Sequence, residues 1–134
     1  MQECCEIIGH HGTTQDIAKK IMETSFVSDP RKIGWLGTGN YFYDDDPLMA
    51  KKYSLKRFKH SISCVLECRI VIPKELEFDV TDPKSDDTSL FHKTRKKLIE
   101  ELIKKNRLNL TTRNSNDFDG KIYNFICNNS TFAP

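Results

Sequence analysis

Ile62-Ser63-Cys64-Val65-Leu66-Glu67-Cys68-Arg69-Ile70-Val71-Ile72-Pro73 is the most regular stretch of the chain. Ile62, Cys64, Leu66, Cys68, Ile70 and Ile72 fall on one face, and Ser63, Glu67 and Arg69 fall on the other. Successive side chains of a strand point to opposite sides of its sheet, so this alternation predicts a half-buried β-strand. Pro73 has no N–H with which to continue a ladder and closes it.

The segments on either side supply the rest of the fold. Cys5-Glu6-Ile7-Ile8-Gly9 predicts a short opening strand that ends in a turn at His10-His11-Gly12-Thr13. Thr13 and Asp16 stand in capping-box spacing and predict a helix with Ile17, Ile21 and Met22 on one face, ending near Thr24-Ser25. Gly34, Gly37 and Gly39 make residues 34–40 a flexible loop, after which Asn40-Tyr41-Phe42-Tyr43 favours a strand. Asp46-Pro47 reads as an N-cap followed by the first helical residue. That helix carries Leu48, Met49 and Tyr53 and fades into Lys56-Arg57-Phe58-Lys59-His60.

Beyond Pro73, Glu77-Phe78-Asp79-Val80 predicts a further short strand and residues 81–87 a loop. A helical period runs from Ser89 to about Lys105, with Leu90, Phe91, Thr94, Leu98, Leu102 and Ile103 on one face. Residues 106–118 read as a polar loop, and a last helix starts near Asp117 or Asp119 and buries Ile122, Phe125 and Ile126. The order β-α-β-α-β-β-α-α is a mixed α+β arrangement. With no linker or repeat, residues 1–134 read as a single domain.

Composition narrows the class. A chain of 134 residues is one domain's worth and can bury a core without disulfide or metal staples. Lys plus Arg is 21 against 19 Asp plus Glu, a net charge of +2, which makes no overall electrostatic case for nucleic acid. No apolar run is long enough to cross a membrane, and the N-terminus lacks the basic start and apolar core of a signal peptide. The 5 cysteines, Cys4, Cys5, Cys64, Cys68 and Cys127, form no C-x-x-C, so reduced thiols in a cytoplasmic protein are expected. Cys64 and Cys68 sit on the apolar strand face, where packing is expected rather than reactivity. His10, His11, His60 and His92 make no H-x-x-x-H and no Cys/His ligand set, so no metal site is expected.

Two segments carry chemistry. Gly37-Thr38-Gly39 fails the dinucleotide fingerprint, because Phe42 stands at the third glycine position and a strand follows in place of a helix. No Gly-Lys-Ser/Thr is present, so the loop is not a P-loop; taken alone, it reads as a simple turn rather than a nucleotide site. His11-Gly12-Thr13 lies between a strand and a helix start. A glycine there admits a ligand close to the backbone, and a helix N-terminus favours oxygen. The same residues also fit a tight turn carrying a solvated histidine pair.

Taken together, His11-Gly12-Thr13, a helix, then Trp35-Leu36-Gly37-Thr38-Gly39-Asn40-Tyr41-Phe42 and the acidic run Asp44-Asp45-Asp46 resemble the ADP-ribosyltransferase fold. The resemblance is to its His-Tyr-Glu branch, which includes the poly-ADP-ribose polymerases, and is nearest to small bacterial members with H-G-T-T and W-L-G-x-G-x-Y-F motifs. It extends to residues 47–53, to Leu76-Glu77-Phe78-Asp79-Val80-Thr81-Asp82-Pro83 and to residues 89–105. It implies a split β-sheet flanked by helices. It also implies an NAD+-dependent transferase that moves ADP-ribose to a protein or nucleic-acid acceptor and releases nicotinamide; a toxin role is an extrapolation from the same likeness.

By resemblance, His11 bonds the adenine-side ribose, and Gly12 holds the nicotinamide carboxamide through its backbone N–H and C=O. Thr13 supports the turn, Gly39 belongs to the cofactor site, and Tyr41 stacks on the nicotinamide; His11 and Tyr41 are the catalytic pair. Cleaving the nicotinamide–ribose bond develops an oxocarbenium ion, for which a clamped amide, an aromatic platform and a carboxylate are suited.

The family's carboxylate comes from a late strand. Either Asn124 occupies its position, or Asp119–Cys127 is the helix that comes before it and the domain lacks its C-terminal strands. Asp44, Asp45 and Asp46 are substitute acids or, more simply, a turn and a helix cap. Glu100 and Glu101 stand among lysines as solvent-face ion pairs.

Two other readings stand beside the transferase. One is an inactive NAD+- or partner-binding module. The other is a nucleic-acid binder using Lys51, Lys52, Lys56, Arg57, Lys59 and then Lys93, Arg95, Lys96, Lys97, with Tyr53, Phe58 and His60 for stacking.

Overall fold

The computed structural model describes residues 3–105 and 112–129. The fold is α+β, a small antiparallel sheet of 3 strands with helices. The chain divides into two compact units, one made of Met1–Ser28 and Asn40–Lys74, the other of Asp29–Gly39 and Glu75–Pro134.

The first unit holds the sheet. Strand β1 (Cys4–Thr14) runs between β2 (Tyr43–Asp44) and β3 (Ser63–Pro73), in the order β2-β1-β3. Both pairings are antiparallel, with Gly9 opposite Cys68 and His11 opposite Leu66 along the long ladder. The alternation expected over 62–72 is present from Leu66 to Ile72: even-numbered residues are half-buried, and Glu67, Arg69 and Val71 are exposed. Ile62 lies outside the strand and is exposed.

Strand β1 overturns the expected turn at residues 10–13. The strand continues through them, because Gly12 and Thr13 find register partners in Val65 and Cys64. Helix α1 (Gln15–Glu23) therefore starts one residue late: Thr14, not Thr13, is the N-cap, and its hydroxyl accepts from the Ile17 N–H at 3.2 Å. The strand expected over 40–43 shrinks to Tyr43–Asp44, and Asp45 follows with φ of 44°.

Helix α2 (Pro47–Arg57) starts where Asp46-Pro47 predicts, with the Asp46 carboxylate accepting from the Met49 N–H at 3.0 Å. Its buried face is not Leu48, Met49 and Tyr53, which are exposed, but Ala50 and Ser54. The small side chains let α2 come down onto β1: a Cβ added at Gly12 would stand 2.0 Å from the Ala50 carbonyl oxygen. The Ser54 hydroxyl bonds that of Ser63 on β3.

The second unit is built on helices α3 (Asp86–Lys104) and α4 (Thr112–Asn129). Phe91, Ile122 and Ile126 form its core, with Phe78, Val80, Leu98, Phe118 and Tyr123 packed against them. Tyr123 stacks on Phe91 at 4.5 Å between ring centres. Burial, with a contribution from Asp119, pushes the Tyr123 hydroxyl above its ordinary value.

Helix α3 begins at Asp86 behind the N-cap Ser85, earlier than the period beginning at Ser89 indicates. Residues 106–111 of the expected loop lie outside the described residues, and from Thr112 onward the chain is helix, so α4 starts before Asp117. Residues 77–80 form no strand. The Asp79 N–H donates to Asp87 at 2.8 Å and its carbonyl accepts from the Ser85 hydroxyl at 2.9 Å, so side chains take the bonds a ladder would need.

Candidate functional site

The backbone bonds at the sheet margins establish which way each residue of β1 turns its polar groups. Gln15 N–H donates to Ile62 at 2.9 Å and the Glu3 carbonyl accepts from Lys74 N–H at 3.0 Å, so odd-numbered residues of β1 face β3. The Ile8 carbonyl accepts from Asp45 N–H at 2.8 Å, so even-numbered residues face β2. Strand β2 reaches no further than Tyr43, opposite His10. Gly12, buried, therefore turns its N–H and C=O toward an edge that no strand covers among the described residues.

His11 is next to that edge. Its Nδ1–H donates to the Tyr41 carbonyl at 2.7 Å, which brings two of the expected site residues together across 30 positions of sequence. With Nδ1 carrying the proton, Nε2 is left as an acceptor. Phe26 meets the His11 ring edge-on at 5.2 Å, Phe42 lies tilted at 5.4 Å, and the two phenyl rings are 5.2 Å from each other, so the imidazole is one corner of a three-ring cluster. Phe42 also closes over Gly9, where an added Cβ would come within 3.1 Å of it.

Thr13 is buried on the strand and supports no turn. Gly39 belongs to the second unit, with φ of 155° and no heavy atom within 4 Å of an added Cβ.

His10 departs from the solvated pair described above. It is 3% exposed; its Nε2 lies 3.2 Å from Glu67 Oε1, and its Nδ1 is buried without a hydrogen-bond partner. Nothing in the residue type marks His10 as interior; only its register between Tyr43 and Glu67 does.

The loop 34–40, expected to be flexible, is a clamped turn through Gly39. Gly34 and Gly37 exchange both backbone bonds, at 3.0 and 3.3 Å. Asn124, on α4, accepts from the Thr38 N–H at 2.8 Å and donates to the Thr38 hydroxyl at 3.1 Å. Asn124 is a helical residue that holds this loop, so its alignment with a catalytic strand fails. Of the acidic run, Asp44 pairs with Gly9, Asp45 makes the turn and Asp46 caps α2.

The two basic groups fall in different units: Lys51 to Lys59 in the first, and Lys93 to Lys97 in the second, where Arg95 pairs with Asp119 at 2.8 Å. Among the described residues no three His, Cys, Asp or Glu side chains come together as a metal-binding group, and no helix is long and apolar enough to cross a membrane. Compared with protein-family models, curated proteins and solved structures, the chain matches none of them.

Proposed function

We propose that the first unit binds NAD+ through His11, Gly12, Thr13 and Tyr41, and that the protein transfers ADP-ribose to a protein or nucleic-acid acceptor in the manner of the ADP-ribosyltransferases it resembles. The observation that carries this reading is the backbone of Gly12, turned to an edge that no strand covers among the described residues, beside a histidine tied to Tyr41. A carboxamide presents one N–H donor face and one carbonyl acceptor, the complement of an uncovered strand residue. The Nε2 acceptor of His11 is suited to a ribose hydroxyl. The chain's own part is to hold the leaving amide and orient the sugar, so that departure of nicotinamide meets a fixed surrounding.

A second reading, NAD+ binding without turnover, is favoured by the use of the Asp46 carboxylate as a helix cap and of the Asn124 amide as a loop clamp. Titration calorimetry with NAD+ and with nicotinamide, run beside labelled NAD+ in cell lysate, separates the two. Transfer or hydrolysis lost in Tyr41→Ala, with binding weakened in His11→Ala, supports the transferase. Binding alone supports the module, and no binding of either compound sinks both. Gly12 is not a useful probe, because any side chain there runs into α2.

A further inference from the structure

Strand β3 is 11 residues long and stands at the edge of the sheet. Its even-numbered residues bond β1, so Ser63, Val65, Glu67, Arg69 and Val71 turn their N–H and C=O groups outward. No strand among the described residues pairs with them. A long edge of this kind is a template for another strand unless charge, proline or a bulge blunts it. Here the charges that would blunt it are one Glu and one Arg, two residues apart and symmetric about Cys68.

That symmetry singles out one occupant. We propose that β3 pairs antiparallel with β3 of a second copy of this chain about a two-fold axis at Cys68, joining the two sheets into one. In this register each Glu67 lies opposite the partner's Arg69, and each Val65 opposite the partner's Val71. On the other face Leu66 meets the partner's Ile70 and Cys64 meets the partner's Ile72, so the half-buried apolar face continues across the junction.

A shift of one pairing step either way puts Glu67 against the partner's Glu67, or Arg69 against the partner's Arg69, at the axis. Like charges directly opposite destabilise a sheet, and opposite charges stabilise it. A shift of half a step would turn the apolar face outward. The interface is isologous, so every favourable pair occurs twice.

Glu67 and Arg69 already have neighbours on β1, His10 and Glu6, but both side chains are exposed, at 74% and 69%, and retain hydrogen-bonding capacity toward a second chain. Pro73 lacks an N–H but still offers a carbonyl, so the ladder ends there.

The register makes a covalent prediction. Cys68 and the partner's Cys68 form a non-hydrogen-bonded pair, whose Cα atoms lie about 4.5 Å apart, within the range a disulfide spans. Burial, and secondarily the Glu67 carboxylate, push the Cys68 thiol up, so oxidation is best run at mildly alkaline pH. Diamide serves as oxidant: two thiols give up their hydrogens to it, it becomes the hydrazine, and one S–S bond forms.

The test uses the full chain with Cys4, Cys5, Cys64 and Cys127 changed to Ser, beside the unchanged protein, in sedimentation equilibrium and diamide crosslinking. Expected are a reversible dimer and a covalent dimer mapped to Cys68–Cys68. Glu67→Arg weakens the dimer about tenfold, and Glu67→Arg with Arg69→Glu restores it. Val71→Pro removes an outward N–H alone, leaves the bonds to β1 intact and yields a folded monomer by circular dichroism. A monomer at every concentration, a dimer that does not link through Cys68, or a double charge exchange that fails to restore pairing overturns the proposal.

Discussion

Both ends of the Asn124 amide are engaged by Thr38, and the Thr38 hydroxyl in turn donates to the Lys32 carbonyl at 3.1 Å. Every polar atom in this small network has a partner, so truncation leaves an amide N–H and a hydroxyl oxygen short of one. Asn124→Ala is expected to cost about 2 kcal/mol, for two bonds of roughly 1 kcal/mol each. Asn124→Asp keeps the acceptor, loses the donor and should cost about half as much; urea unfolding of the three proteins measures both. A reader of the sequence had the three glycines and the asparagine but no means of joining them across 86 positions. Gly12 is a similar case. Its glycine suggests a turn, while the reason for it, an approach to the Ala50 carbonyl, resides in a helix whose buried residues are Ala50 and Ser54.

At the scale of elements, what was legible followed from local rules. Strand β3 announces itself because one of its faces is half-buried, and α2 because Asp46 and Pro47 cap it without help from elsewhere. The second half of β1 was hidden because His-His-Gly-Thr-Thr has no apolar alternation; its extension is imposed by β3. The ladder joining them carries a testable ion pair: Arg69 donates two bonds to Glu6, at 2.5 and 3.0 Å. These bonds hold the Glu6 carboxyl below its ordinary value of 4.5. The folded value is thus lower than the unfolded one. The contribution is complete above 4.5 and is lost as pH falls through the lowered value. Thermal melts of wild type and Glu6→Gln should therefore differ at neutral pH and converge in acid. A gap that persists in acid would assign the effect to packing.

For the whole molecule, ligand linkage offers a check on function that requires no turnover. If NAD+ binds only the folded chain, a hundredfold excess over its Kd stabilises by about 2.7 kcal/mol. A melting point that rises with NAD+ in the wild type and stays flat in His11→Ala is the expected pattern. A rise of the same size in both would remove His11 from the site. The fold class was open to the sequence because helix and strand periods differ. The division into two units was not, since residues 29–39 interrupt the first unit only to join the second.

That interruption has a consequence for the order of events during synthesis. The described strands of the sheet have left the ribosome once Lys74 has emerged, so β1 and β3 can zip together while the chain is still growing. The clasp on Thr38 has to wait, because the Asn124 side chain that makes it is translated 86 residues later. A nascent chain stalled before Asn124 is therefore a sheet with an unfastened loop, and arrival of α4 is the step that fastens it.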